Sequence, residues 1–532
     1  MCIRIISLIF VLLLWYVPVG QSAKILGLFT SQSKSHVIIH MSVARALIEN
    51  GHNLTIVTTI DLNESNKNFR HIKVPGENVE NMINNVTQMS TIEKFIKFFY
   101  MFRKLMGNSI VALKSTEMQK LMKEESFDLI IIGYFLNEYE IGVAAHFKCP
   151  AVIIFMGQPI YSLNNLVGNP DEITHIPHPI WGETTKYMGF FSRVANAFWY
   201  FVDNLLWWTI RTSFNTYYKE LFPPEKYPSY EEALKNVSLI LSNYHFSQGP
   251  IRADVPAVIQ IGGIQIEENP KKLPEKIQKH LDSAGKDGAI FFSLGSNVRS
   301  ADLGANASTA IYNVLSSLKQ KVVWKWETDD LPGKSQNILF EKWLPQNSVL
   351  AHPNLKLFIT HGGRGSVVES EYFGVPMIGL PVFGDQSANV DQLVEAGYGL
   401  RLDHSVLTEE NLRDAINKIL TDSKYSENIK RFRDLFRDRP MTPKESAVYW
   451  VNYVLRHKGA KNMQSAAVHM PFYQLMGLDV LAFIGILLYV WLKLSIFTCK
   501  LLWRASCYVL CCKCFRKFLK GRGEGHLKAK NE

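Results

Sequence analysis

One stretch constrains the fold of this chain more than any other: residues 343–386, WLPQNSVLAHPNLKLFITHGGRGSVVESEYFGVPMIGLPVFGDQ. Its residues 355–360 form a short apolar run of strand type. His361-Gly362-Gly363 follows at once. Residues 366–373 then have helical character, stopped by Gly374 and by Pro376 two positions later. Residues 377–380 read as the next buried strand. A strand, a glycine turn and a helix start make an anion site. The glycines let backbone N–H groups approach a phosphate, and the helix N-terminus adds partial positive charge. The spacing is neither the dinucleotide GxGxxG nor a phosphate loop ending in GK[ST]. A glycine pair alone is more often a tight turn than a ligand site.

The rest of the 532-residue chain supplies a frame for that stretch. Residues 24–29 are strand-like, 30–35 a polar loop, and a helix runs from about His36 to Asn50, halted by Gly51. Residues 54–58 complete a βαβ opening, the usual start of a doubly wound sheet. Runs at 129–132 and 152–155 continue it, with a helix at 141–147 between them. Residues 92–114 and 189–222 read as helical. The latter is dense in aromatics (Phe190, Phe191, Phe198, Trp199, Tyr200, Phe201, Trp207, Trp208), for which core packing is the ordinary reading. Runs at 239–242 and 258–261 close the first half. The polar segment 267–288 reads as a linker, and a second α/β half opens at 289–296 and continues at 322–326.

Two such halves imply an α/β fold of two facing Rossmann-like domains, with ligands at the carboxyl ends of both sheets. The expected layout is a signal peptide over 1–22, a first domain over 23–266, the linker over 267–288 and a second domain over 289–457. A juxtamembrane segment (458–478), a membrane helix (479–499) and a basic tail (500–532) follow. The signal rests on Arg4, an apolar core and small residues at Gly20 and Ser22. The membrane helix rests on a strictly apolar run over 480–492, extended to Cys499 if Lys493 snorkels.

The net charge of +10 is concentrated at the C-terminus: from Lys493 onward there are ten Lys/Arg against two Glu. The folded body is close to neutral, which removes the main argument for nucleic-acid binding. A basic tail on the cytosolic side makes the chain a type I membrane protein with its body in the lumen. Sequons at Asn53, Asn63, Asn85, Asn236 and Asn306 are compatible with that, although Asn53 lies beside a buried strand. The lysines at 528 and 530 resemble a dilysine signal for the endoplasmic reticulum. Cys2 leaves with the signal, so Cys149 stands alone in the body and no internal disulfide can form there. Metal and thiol chemistry lack ligands; no metal is expected. Cys499, Cys507, Cys511, Cys512 and Cys514 cluster beside the membrane, where S-palmitoylation and plain reduced thiols both stay open.

Taken whole, residues 343–386 resemble the signature of the UDP-glycosyltransferases, the membrane-bound animal family that includes the UDP-glucuronosyltransferases. The matching pieces are Trp343-Leu-Pro-Gln346, His352-Pro353, Thr360-His361-Gly362-Gly363, Glu369, Gly374-Val-Pro376, Pro381 and Asp385-Gln386. The match extends from about residue 24 to the end and is strongest in the second half. It implies the two-domain architecture called GT-B. By the resemblance, Trp343 stacks on uracil and Gln346 holds the nucleoside. His361 and nearby backbone N–H groups hold the diphosphate, and Ser296, Gly363, Gly365 and Ser366 are further donor-binding candidates. Glu369 binds the ribose hydroxyls, and Asp385 and Gln386 bind the transferred sugar. Singly, Trp343 reads as well as a core aromatic and Glu369 as a helix-start carboxylate; their joint spacing favours a site. One departure is Gly365, where many relatives carry Asn; Arg364 or Ser366 is available to replace that contact.

The family's general base is a histidine after the first strand, and His36 stands there. A helix start disfavours the imidazolium, so His36 is expected to be neutral. His40, four residues on, raises a metal question that Val37 answers, because the HExxH motif is absent. In relatives a carboxylate orients the base. Alignment puts Gly133 at that place, which leaves Glu138 as the candidate and Glu140 as its alternative; Asp128, at the wrong end of the strand, is structural. The implied activity is inverting hexosyl transfer, with UDP-glucose the implied donor by likeness to the insect branch, onto a hydroxyl of a small lipophilic acceptor, as in detoxification. The competing expectation, motivated by Gly133, is a non-catalytic UDP-sugar or lipophile-binding membrane protein. No cofactor beyond the co-substrate is expected, and a homo-oligomer stays open.

Overall fold

The computed structural model describes residues 22–76, 104, 106–107, 109–178, 187–296, 298–382 and 384–528. The signal core, Asn85, most of the expected helix at 92–114 and Lys530 lie outside the described residues. The chain divides into two compact units after Val468.

The first unit holds two all-parallel sheets. The first comprises β1 (Lys24–Phe29), β2 (Asn53–Thr58), β3 (Phe69–Lys73), β4 (Leu129–Gly133), β5 (Ala151–Phe155), β6 (Val237–Ser242) and β7 (Val258–Gln260). Their spatial order is β3-β2-β1-β4-β5-β6-β7. The second comprises β8 (Ala289–Ser293), β9 (Lys321–Lys325), β10 (Ile338–Glu341), β11 (Leu355–Thr360), β12 (Met377–Gly379) and β13 (Gly399–Arg401), in the order β10-β9-β8-β11-β12-β13. Strands such as LIIIG and AIFFS are buried throughout, as strands covered on both faces must be. Each sheet starts in its middle, winds to one edge, and resumes on the other side of its first strand. That leaves a crevice between β1 and β4, and another between β8 and β11, where such sheets bind ligands.

Six helices position or frame the site. The first, α1 (Lys34–Glu49), follows β1. The second, α2 (Phe190–Leu221), carries the aromatic cluster on two faces: Tyr200, Trp207, Phe214 and Tyr218 are buried, but Phe190, Phe191, Phe198, Phe201 and Trp208 are exposed. Of the eight aromatics expected to pack in a core, only Tyr200 and Trp207 are buried, so core packing accounts for a minority of the cluster. Within the expected linker, α3 (Glu275–Asp282) buries Ile277 and Leu281 in the second core. The two site helices of the second domain are α4 (Gln346–Leu350) and α5 (Arg364–Phe373), and α6 (Gln386–Glu395) follows β12.

The chain then crosses back. A capping box between Thr442 and Glu445, with Pro443 in the first turn, starts α7 (Pro443–Arg456). Its Ala447, Val451 and Val454 are buried in the core of the first sheet, not the second. Pattern alone assigns the chain up to residue 457 to the second domain.

The second unit is dominated by α8 (Leu478–Lys528), which includes one apolar stretch, Leu478–Lys517, long enough to cross a bilayer. The helix does not end near Cys499. Glycine and proline are absent between Gly485 and Gly521, so nothing in the sequence stops it.

Candidate active site

At the first crevice, β1 ends at Phe29 and the chain turns into α1. His36 sits in the first turn, its N–H bonded to the Ser33 carbonyl at 3.1 Å. Phe135 packs edge-on against its ring, with centroids 4.6 Å apart, and His40 stands one turn on at 6.4 Å. The Nδ1 of His36 is buried without a hydrogen-bond partner. Burial lowers the pKa of His36 to about 4, so it is neutral at neutral pH. Burial is the cause here, where the sequence suggested the helix start.

The two carboxylates of the following turn do not meet that ring. Glu138 accepts hydrogen bonds from the hydroxyls of Tyr134 (3.1 Å) and Tyr230 (2.9 Å). Glu140 accepts from the Thr30 hydroxyl at 2.7 Å and from Asn137 Nδ2 at 2.9 Å, and burial pushes its pKa up to about 8. Asn137 ties this turn together: it also donates to the Gly133 carbonyl (3.1 Å) and accepts from the Phe135 N–H (2.8 Å). Glu140 thus holds Asn137, Asn137 holds Phe135, and Phe135 packs on His36. Leu136 adopts a left-handed φ of 60°, a strained conformation for a branched residue that this network sustains. Asp128, at the other end of β4, accepts from the Lys24 N–H at 2.8 Å.

At the second crevice, β11 delivers Thr360 and His361, and α5 begins at Arg364, two residues before the expected start. His361 lies against backbone on two sides. A Cβ on Gly295 would fall 2.5 Å from its Cε1, and one on Gly363 would fall 2.3 Å from its Nε2. Burial and the nearby Lys325 lower its pKa to about 4, leaving a neutral ring that can donate one N–H. Lys325 is itself fixed by the Gly295 carbonyl (2.7 Å) and by Glu327 (2.9 Å). Ser296 follows Gly295 at the crevice mouth and is partly exposed.

A second group of side chains gathers around the start of α4. Gln346 Nε2 donates to Ser366 Oγ (3.0 Å) and to Glu369 Oε2 (2.7 Å). Burial raises the pKa of Glu369 to about 7. Trp343 is 58% exposed, with Lys325 Nζ 5.7 Å from its ring centroid. Asp385 is open to solvent and accepts from Asn389 Nδ2 at 2.7 Å. Gln386 is buried, its side-chain Oε1 accepting from the Val382 N–H at 2.8 Å. Around Gly365 there is open space, so a larger residue there is not excluded sterically. Arg364 has a buried Nη2 without a hydrogen-bond partner and lies 5.9 Å from the Tyr244 ring of the first domain. Gln248 of the same loop donates to Glu371 of α5 at 2.5 Å. The carboxyl-end loops of the first domain therefore touch the helix that starts at the second crevice.

The profile of the family described as UDP-glucoronosyl and UDP-glucosyl transferase matches residues 21–522. The chain belongs to the UDP-glycosyltransferase family. A UDP-glycosyltransferase of Dactylopius coccus is 34% identical over 490 residues, 89% of this chain and 91% of that one. UDP-glucosyltransferase 2 of the same organism is 33% identical, over 87% and 90%. Human UDP-glucuronosyltransferase 1A1 is 31% identical over 74% of each chain. Among solved structures, the calicheamicin glycosyltransferase superposes with a TM-score of 0.54 at 16% identity, covering 82% of this chain and 99% of its own. The fold is thus GT-B, and this UDP-glycosyltransferase is an enzyme of glucosyl or glucuronosyl transfer.

Sequence reading singled out neither Phe135 nor Asn137 nor Lys325. For Lys325 the one available signal is a cation ending a buried strand; Phe135 and Asn137 carry no signal beyond their place after β4.

Proposed function

We propose that this UDP-glycosyltransferase moves glucose from UDP-glucose to a hydroxyl of a small lipophilic acceptor, as in detoxification, with inversion at the sugar carbon. The observation that carries the reading is the pairing of two crevices: one holds a neutral, half-buried His36, the other a glycine turn opening a helix. His36 takes the acceptor proton as the oxygen attacks the anomeric carbon, and UDP leaves on the opposite side with the bonding pair. An α-linked donor yields a β-glycoside. Trp343 stacks on uracil, with Gln346 alongside, and Glu369 accepts from the ribose hydroxyls. His361, Gly363, Gly365, Ser366 and Ser296 surround the diphosphate, and Asp385 with Gln386 meets the sugar. Glucose over glucuronate is supported by the glucosyltransferase among the Dactylopius relatives.

A screen of UDP-glucose and UDP-glucuronate against phenols and steroids, read as UDP release, tests the reaction. Absence of turnover with every pair would leave only a binding function. Glu369→Ala should weaken UDP binding by about 1–3 kcal/mol, the usual effect of losing a hydrogen bond to a charged group. With a pKa of about 7, Glu369 loses charge as pH falls through neutrality, so wild-type UDP affinity should decline in that direction. Calorimetric titration checks both, and a variant with the wild-type dissociation constant removes Glu369 from the site.

The single apolar C-terminal helix supports a body in the lumen of the endoplasmic reticulum, with the basic end in the cytosol. Protease added to sealed microsomes should then trim only a small C-terminal piece; digestion of the whole body would reverse the orientation.

A further inference from the structure

The end of β4 shows how His36 is held without a carboxylate. A Cβ built on Gly133 would lie 2.3 Å from Nδ1, 2.4 Å from Cε1 and 2.9 Å from Cγ of His40. No real side chain fits there unless the imidazole leaves. His40 is fully buried, packed at 5.1 Å on Phe29, and neither of its ring nitrogens has a hydrogen-bond partner. Two orphaned polar atoms are costly, and an apolar residue of similar volume would incur no such cost. Packing alone does not account for an imidazole at this position. On its other side the ring stands edge-on to His36, four residues earlier on the same face of α1. His36 itself makes no hydrogen bond through Nδ1, and the rings of Phe135 and His40 stand edge-on to it.

We infer that His40 is the positioning residue of His36: its imidazole fills the space at the end of β4 that an orienting carboxylate at position 133 would need, and fixes His36 by ring packing in place of a hydrogen bond. Gly133 and His40 are one fitted pair, so the glycine is not a lost function that a single substitution could restore. The other polar groups packed around this end of the sheet, Glu140, Thr30 and Asn137, are bonded to one another.

This rests on His36 being the base, and the test separates the two. In the full-length enzyme in membranes, Gly133→Asp alone should lower both kcat and Tm. His40→Ala should lower kcat about tenfold with KM for the UDP-sugar unchanged, because the base loses its support. Gly133→Asp combined with His40→Ala should recover activity relative to Gly133→Asp. The acid limb of its kcat/KM profile should move to higher pH, because a carboxylate beside an imidazole favours the charged form. Should the Asp variants not fold, Gly133→Ala gives the same cycle with one methyl: damaging beside His40, without effect on Tm or kcat in the His40→Ala background. Additive effects in that cycle, or a Gly133→Asp enzyme as stable and active as wild type, would overturn the inference. If His36→Ala keeps full turnover the base assignment fails, yet the Tm cycle still decides whether Gly133 and His40 are a fitted pair.

Discussion

His36→Ala should lower kcat by about 10²–10⁴-fold, the usual range for loss of a general base, while the dissociation constant for UDP stays at the wild-type value. The separation follows from the architecture. His36 stands on α1 at the crevice of the first sheet, whereas the groups placed around the nucleotide, Trp343, Gln346, Ser366 and Glu369, belong to the second. No hydrogen bond of His36 reaches that cluster among the described residues: its N–H runs to the Ser33 carbonyl and its Nδ1 has no partner. The fold should survive the change: the ring is half-buried and its Nδ1 has no partner to orphan. The assay is steady-state glucosylation of a phenol, with calorimetric titration of UDP on the same preparation. Retention of full turnover ends the base assignment. Equal loss of UDP affinity would mean that the substitution has disturbed domain closure rather than proton transfer.

The frame of the fold was legible because its central strands are continuous apolar runs. KILGLF, LIIIG, AIFFS and LKLFIT announce buried parallel strands without any partner being known. What pattern reading missed lies at edges and crossings. The strand β3, FRHIK, pairs with β2 at the edge of the sheet and buries only Ile72 among its own residues, so it carries no apolar run. The helix α3 looked like linker because six of its eight residues are polar; only Ile277 and Leu281 enter the core. The return of α7 to the first core is a tertiary choice, since an amphipathic helix fits either sheet equally well on pattern alone.

Site residues divide in the same way. The proposed donor cluster could be assembled from sequence because its members are close in the chain and chemically distinctive. Glu138 was chosen by distance along the chain, and such distance does not fix side-chain direction in a tight turn: its oxygens face Tyr134 and Tyr230. The role inferred for His40 needed coordinates, because the space that defines it belongs to a strand 93 residues away, measured to Gly133.

Gly295→Ala should weaken UDP binding about tenfold or more, equivalent to about 1.4 kcal/mol, and should lower Tm as well. Two effects add at this position. The backbone has φ +81°, a left-handed conformation that costs an L-residue about 1–2 kcal/mol. The new Cβ would also stand 2.5 Å from His361 Cε1. The ring has little room to yield, because its Nε2 edge already lies against Gly363, so it must turn away from the glycine turn where the diphosphate is placed. Lys325 moves with it, since its ammonium group is held by the Gly295 carbonyl at 2.7 Å. One substitution thus displaces a neutral donor and shifts a cation in the same crevice. The double variant with His361→Ala identifies the route. Removing the ring relieves the contact, so Gly295→Ala should cost clearly less UDP affinity in that background than in wild type. Strictly additive losses would show that backbone strain alone is responsible and that His361 does not transmit the effect.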